Sequence, residues 1–336
     1  MHDGRDDNEP MTEIQLPDPT TWGGALLLSD LGIIQAEGPD AATFLHGQLS
    51  QDVKGQPSTE ARLAAYCSAK GRMLASVLTV KPQDEQFWLL TDKQVLPGLV
   101  KRLSMFVLRS KLKLTDASDT ISLVGLMGSP AATLLGDVVP VEAWQTQRHA
   151  DGLLVRLPDV LGTTRWYWVG PSAAATALCG ALPALPPEQW RWLDVVSGVP
   201  RIEASTVDQF VPQMINFELI GGVNFKKGCY PGQEVVARSQ YRGTTKRRAF
   251  VLHSDQPVQP GQEVFSEADP GQPAGLIINV APRPGSGLAE GAGPCSVLAE
   301  IKLASVAKAL FAGSVDGPRL TVGQLPYALP QTDDAA

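Results

Sequence analysis

From Ala25 onward, short apolar runs alternate with turn residues. Ala25–Leu28 and Ile33–Ala36 read as strands around Ser-Asp-Leu-Gly, and Gly38-Pro39-Asp40 opens a helix with Pro39 at its first position. That helix repeats Phe44, Leu45 and Leu49 at helical spacing. Arg62–Cys67 and Arg72–Val80 flank Ala-Lys-Gly as a hairpin. A strand at Phe87–Leu90, a helix over Val95–Phe106 and a strand over Leu108–Leu114 follow. Ser122–Leu126, a helix from Ser129-Pro130 to Leu135, strands Leu153–Leu157 and Trp166–Val169, and the alanine-rich helix Ser172–Cys179 repeat a split βαβ logic. After the linker Ala184-Leu185-Pro186-Pro187, a helix spans Glu188–Val196.

Beyond about Thr245, glycine and proline become dense and helices vanish. Strands at Arg248–His253, Ala274–Val280, Val297–Lys302 and Leu320–Gly323 predict a small barrel or sandwich. The pattern divides the chain into a tail at 1–22, an α+β domain at 23–118 completed by 188–243, a ferredoxin-like α+β unit at 119–187 and a β-barrel at 244–330. The tail is read as disordered because it holds too little apolar surface to offset its ordering entropy.

Composition narrows the function. No apolar run reaches the roughly 20 residues a membrane helix needs, and the acidic start has no signal-peptide core. Four dispersed cysteines, Cys67, Cys179, Cys229 and Cys295, suit the reducing cytoplasm. With scattered histidines, they argue against a zinc or iron–sulfur site made by this chain alone. A net charge of −7 disfavours a broad nucleic-acid face.

One segment stands out chemically: Phe225-Lys226-Lys227-Gly228-Cys229-Tyr230-Pro231-Gly232-Gln233-Glu234, leading into a helix at Val235–Gln240. A cysteine beside two lysines and ahead of a helix N-terminus is favoured as thiolate. A buried, inert cysteine in a tight turn fits the same residues. Gly228 and Gly232 are read either as site residues or as turn glycines. Lys226, Lys227, Arg238, Arg242, Lys246, Arg247 and Arg248 stand against the single acid Glu234, as a positive patch for a polyanion or as a solvated face. Trp190 is a candidate wall for a flat heterocycle, or a core residue.

The run Phe210-Val211-Pro212-Gln213-Met214-Ile215-Asn216, with Gly221-Gly222-Val223 and Phe225–Glu234, closely resembles the signature of the YgfZ family in the glycine-cleavage T-protein superfamily. Its K-G-C-Y-x-G-Q-E core is highly specific. His46-Gly47-Gln48-Leu49-Ser50-Gln51-Asp52-Val53 and Cys67-Ser68-Ala69-Lys70-Gly71-Arg72 resemble two further family segments. The resemblance implies an α+β, T-protein-like fold: two mixed α/β units around a central channel, plus the C-terminal barrel. It implies that the channel holds tetrahydrofolate or a related reduced folate. It also implies a role in maintaining iron–sulfur enzymes, including radical enzymes that modify tRNA. By this resemblance Cys229 is the reactive thiol, and Trp190, Lys226, Lys227, Gly228, Tyr230, Gln233 and Glu234 are the folate-associated residues. The family's second tryptophan falls at about Leu31, where this chain has no aromatic. Two other readings stand beside this one. One-carbon transfer needs a carboxylate near the folate nitrogen, with Asp52 and Glu203 as candidates. Direct tRNA binding would use the 226–248 patch.

Overall fold

The computed structural model describes residues 16–137, 139–241, 245–285 and 293–330. The first strand, β1 (Gly24–Leu27), does not join the strand that follows it. β2 (Leu31–Glu37), β3 (Arg62–Cys67), β4 (Met73–Gln83), β5 (Gln86–Asp92) and β6 (Lys113–Asp116) form one antiparallel sheet in the order β3-β4-β5-β2-β6. β1 instead pairs with β7 (Ile121–Met127) in a second sheet. That sheet is completed by β8 (Thr146–His149), β9 (Gly152–Arg156) and β10 (Arg165–Pro171), in the order β1-β7-β10-β9-β8. The two units are therefore interleaved: a division after residue 118 leaves β1 apart from the sheet it belongs to. The cause is local. Gly24, at φ +141°, brings the chain against the 183–185 linker, where Ala25 N donates to Pro183 O and Leu185 N donates to Ala25 O. A Cβ on Gly24 would sit 2.1 Å from Pro183 O.

Both sheets bury both faces, which explains apolar runs such as Ile33-Ile34 that do not alternate. On the first sheet, Ile34, Ala36, Phe87 and Leu89 meet helices α1 (Ala41–Gln48) and α2 (Leu96–Val107) through Leu45, Leu99 and Leu103. On the second, Val124, Leu126, Trp166 and Trp168 lie under α3 (Gly128–Leu135) and α4 (Ser172–Gly180). The remaining faces, with Ile33, Leu78 and Leu90 on one side and Leu123, Leu153 and Val155 on the other, share a core with α5 (Pro187–Val196). This core also takes Val251, Ile278 and Leu298 from the barrel. α6 (Gln233–Tyr241) precedes that closed barrel, whose strand order is β11-β14-β13-β12-β15-β16. Its strands are β11 (Arg247–Ser254), β12 (Glu263–Ser266), β13 (Gly275–Pro282), β14 (Cys295–Lys302), β15 (Leu310–Ala312) and β16 (Arg319–Val322).

Three expectations differ from the structure. The strand expected over Leu108–Leu114 starts only at Lys113, because Leu108 adopts φ 44° and turns the chain. β8, β12 and β15, of three or four residues each, are too short for a periodic signal. Of the expected 1–22 tail, residues 1–15 lie outside the described residues. Pro19–Thr21 form a 3-10 turn capped by Asp18, and Trp22 packs edge-on against Trp192 with ring centroids 5.8 Å apart.

Candidate functional site

A solvent-accessible cavity opens where the two sheets, α5 and the barrel meet. Leu31, Leu63, Leu78 and Leu90 from the first sheet supply apolar walls, and Trp144 and Tyr167 add aromatic surface. The aromatic character missing at Leu31 thus enters the cavity from other positions. Asp92, Asp194, Glu203, Arg165, Arg191 and Arg201 provide the charge.

Arg201 organises most of that charge. Its Nη1 lies 2.9 Å from Asp30 Oδ2, and its Nε lies 3.7 Å from both Asp92 and Glu203. Asn279 of β13 donates to Glu203 Oε1 at 2.7 Å and exchanges hydrogen bonds with the Arg201 backbone, fixing this segment to the barrel. Arg165, 2% exposed, donates to Asp194 Oδ1 at 2.7 Å. Burial pushes the carboxyls of Asp92, Asp194 and Glu203 above the usual range, and the neighbouring guanidiniums pull them back only in part. The site is an apolar slot holding carboxyls that have lost some of their preference for charge.

Trp190 lies behind this wall rather than in it. It is 1% exposed, its ring stacks under the Arg165 guanidinium at 5.1 Å, and it tilts against Tyr167 at 5.8 Å. A Cβ on Gly125 would come within 2.9 Å of the indole. Trp190 therefore positions two lining residues. Glu203 does line the cavity, whereas Asp52 does not.

The motif loop forms a second centre. None of residues 226–234 lines the cavity. Cys229 is exposed, four residues ahead of α6. Lys227 folds back across the C-terminal end of α1, where its Nζ donates to His46 O and, at 2.6 Å, to Leu49 O. These are carbonyls a helix end leaves without partners. The ammonium also sits 5.0 Å over the Tyr230 ring. Burial lowers the Lys227 pKa to about 8. His46 Nδ1 lies 3.0 Å from Asp52 Oδ1. Burial, then Lys227, lowers the His46 pKa against the pull of Asp52.

The three motif segments meet here. Ser50 Oγ donates to Gly222 O at 2.6 Å, Gln51 Nε2 donates to Gly221 O, and Asn224 N donates to Ser50 O. Gly232 at φ +79° packs on the 68–71 turn. Tyr230 is buried, while Gln233 begins α6. Glu234 is exposed 3.6 Å from Arg238, and Lys226 is exposed with its N–H on Asn224 Oδ1.

The positive patch expected over 226–248 is largely neutralised within the fold. Arg247 holds Glu300 at 2.8 Å, Arg248 is buried on Glu218, and Arg238 faces Glu234. Arg242 lies outside the described residues. The sequence reading missed Asp92, Arg165, Asp194 and Arg201. Asp194 carried a usable signal, being a lone acid among Trp192, Leu193, Val195 and Val196 in a buried helix.

Comparison with known proteins decides the family. The GCVT N-terminal domain family matches residues 24–150. The tRNA-modifying protein YgfZ of Photorhabdus laumondii is 35% identical over 234 residues, covering 67% of this chain and 69% of that protein. The chain belongs to the YgfZ family. The Cronobacter sakazakii protein of the same name is 31% identical over 70% of this chain and 74% of its own, and that of Colwellia psychrerythraea is 32% identical over 74% and 78%. The crystal structure of glycine cleavage system aminomethyltransferase T from Bartonella henselae superposes with a TM-score of 0.71 at 18% identity, over 90% of this chain and 86% of that one. The YgfZ chain therefore has the T-protein-like fold, with two mixed units and a terminal barrel. Among its described residues, no helix is long and apolar enough to cross a membrane, and no three His, Cys, Asp or Glu side chains gather as a metal site.

Proposed function

We propose that this chain is a cytoplasmic, folate-binding accessory protein that supports iron–sulfur enzymes and, through them, tRNA modification, with Cys229 as its reactive thiol. The observation that carries the folate reading is the cavity. The pyrimidine ring of a reduced pterin is flat, and its edge presents adjacent N–H and NH2 donors that a carboxylate accepts in pairs. Asp92, Asp194 and Glu203 supply such acceptors between the Leu31, Leu78 and Tyr167 walls. The residues present fit the group. When bound, it supplies a carrier of one-carbon units. The chain's own side chains orient it, with Arg201 and Asn279 keeping Glu203 in place. The tRNA reading draws on the relatives' names, and the thiol reading on the exposure of Cys229 beside a half-buried lysine.

A second reading, folate-dependent one-carbon transfer, is favoured by the carboxyls that burial holds above their ordinary pKa in the cavity, since a carboxyl shifted upward is better suited to proton transfer than an ordinary one.

The test is an anaerobic tetrahydrofolate titration followed by tryptophan fluorescence. Saturable quenching is expected. Glu203→Gln should weaken binding about 10- to 100-fold, the equivalent of one charged hydrogen bond of about 1.5–3 kcal/mol. Cys229→Ser should bind folate normally yet fail to restore tRNA modification in cells. Absence of binding at millimolar ligand overturns the folate reading, and turnover of a one-carbon donor promotes the second.

A further inference from the structure

The acidic chain carries one stretch of opposite character. From Lys93 to Thr115 there are six cations and no acid. Lys101, Arg102, Arg109, Lys111 and Lys113 are exposed. Among the described residues none of these five side chains is held in a salt bridge, unlike Arg247 and Arg248.

Apolar surface lies between these charges. Met105 is 57% exposed, Phe106 49% and Leu108 86%. On α2 the pairs Lys101/Met105 and Arg102/Phe106 are four residues apart, and Arg102/Met105 three, so cation and apolar side chains share one outer face. Leu99 and Leu103 already spend the opposite face on the core. Leu108 is held at φ 44° and ψ −104°, a conformation unfavourable for a non-glycine residue. It turns the chain back alongside the helix end, through Arg109 and Lys111 to Lys113 at the start of the edge strand β6. Lysine on an edge strand also discourages strand addition, which accounts for Lys113 but not for the helix cations or the exposed ring.

We propose that this α2–β6 corner binds structured RNA, with the cations on phosphodiester groups and Phe106 against an unstacked base. This combination of unpaired cations and an exposed aromatic is the chemistry of sequence-tolerant nucleic-acid binding. A lipid surface fits less well, because the exposed Met105, Phe106 and Leu108 cluster at one end of α2 rather than running as an apolar stripe along it. The proposal rests on the reading that the chain serves tRNA modification, and it adds that the chain touches tRNA itself.

The experiment measures binding of the full chain to a tRNA transcript by fluorescence anisotropy from 50 to 200 mM salt, roughly the range over which phosphate contacts are lost. Binding that weakens with salt is expected. Lys101→Ser/Arg102→Ser/Arg109→Ser should lower affinity at least tenfold and flatten the log–log salt slope by about 2–3, near 0.9 per phosphate contact. Phe106→Ser/Leu108→Ser should lower affinity several-fold with the slope unchanged. The control Lys308→Ser/Arg319→Ser, on the barrel, should match wild type. The proposal is overturned by equal binding of the triple variant, by no wild-type binding at 50 mM salt, or by tighter binding to phosphatidylserine vesicles than to tRNA. In parallel, cells lacking their own copy are complemented. Restored tRNA modification without RNA binding would overturn this surface alone, whereas unrestored modification would count against the functional reading.

Discussion

Gly228 and Gly232 sit four residues apart in the same motif, and the structure gives them opposite roles. Gly232 has φ +79°, and a Cβ there would lie 2.3 Å from Ser68 O and 2.7 Å from Gly71 Cα. Both are backbone atoms of a tight turn and cannot swing aside. Gly232→Ala therefore incurs about 1–2 kcal/mol for the left-handed conformation. A further 1–3 kcal/mol or so comes from overpacking, giving roughly 2–5 kcal/mol in all. A Cβ on Gly228 would meet nothing nearer than His46 Nε2 at 3.6 Å, an ordinary contact, and its φ is not positive. Gly228→Ala should stay within about 0.5 kcal/mol of wild type. Urea denaturation of the two variants, with limited proteolysis of the 226–234 loop, separates them. Equal stability of both variants, or greater damage from Gly228→Ala, would refute the argument. If Gly228→Ala keeps the fold but loses cellular function, the requirement at Gly228 is access to its surface rather than backbone freedom.

Two further predictions come from buried groups. Lys227 titrates at about 8 in the fold against 10.5 when free, so between those values the unfolded chain binds more protons and stability should rise with pH; Lys227→Met should lose that rise, as read from denaturation midpoints across pH 7.5–10.5. Ser296 accepts from Trp192 Nε1 and contacts His253 Nδ1, both at 2.8 Å in the core, so Ser296→Ala strands two polar groups and should cost about 2–5 kcal/mol, measured as a lowered thermal midpoint that Ser296→Thr largely restores.

Much of the fold was legible because it depends on local signals. The helix start at Gly38-Pro39-Asp40, the hairpin around Ala-Lys-Gly and the Gly- and Pro-rich barrel each announce themselves within a few residues. The interleaving of the sheets was not, because β1 and β7 are joined by a pairing nearly a hundred residues apart in sequence. The site divides in the same way. The Cys229 loop is contiguous and could be read directly. The cavity charges come from β5, β10, α5 and the segment after it, and what unites them is Arg201 facing Asp30, Asp92 and Glu203. Trp190 shows the limit from the other side, because its type suggested a ligand contact while its register placed it beneath Arg165 and Tyr167.

The separation of the two centres constrains what Cys229 can do. The β3–β4 hairpin serves both, with Leu63 and Ser76 lining the cavity and the 68–71 turn supporting Gly232. Five residues separate Ser76 from Gly71, roughly 16 Å at about 3.3 Å per residue. A ring seated among Asp92, Asp194 and Glu203 is beyond contact with a thiol held on the far end of that hairpin. On the proposed function, chemistry on a folate in the cavity would fall to the carboxyls there, and the exposed thiol would meet what arrives from solvent. A transferase needs only the first centre. An accessory protein that presents a thiol to a client enzyme needs the second, and the hairpin gives it a rigid element through which occupancy of the cavity can alter how Cys229 is displayed. If the centres are coupled in this way, saturating tetrahydrofolate should change the rate at which Cys229 reacts with a maleimide, and Glu203→Gln should move that change to about 10- to 100-fold higher folate while leaving the unliganded rate unaltered. An identical rate with and without folate, under conditions where binding is complete, would mean that the hairpin transmits nothing and that the two centres serve separate ends.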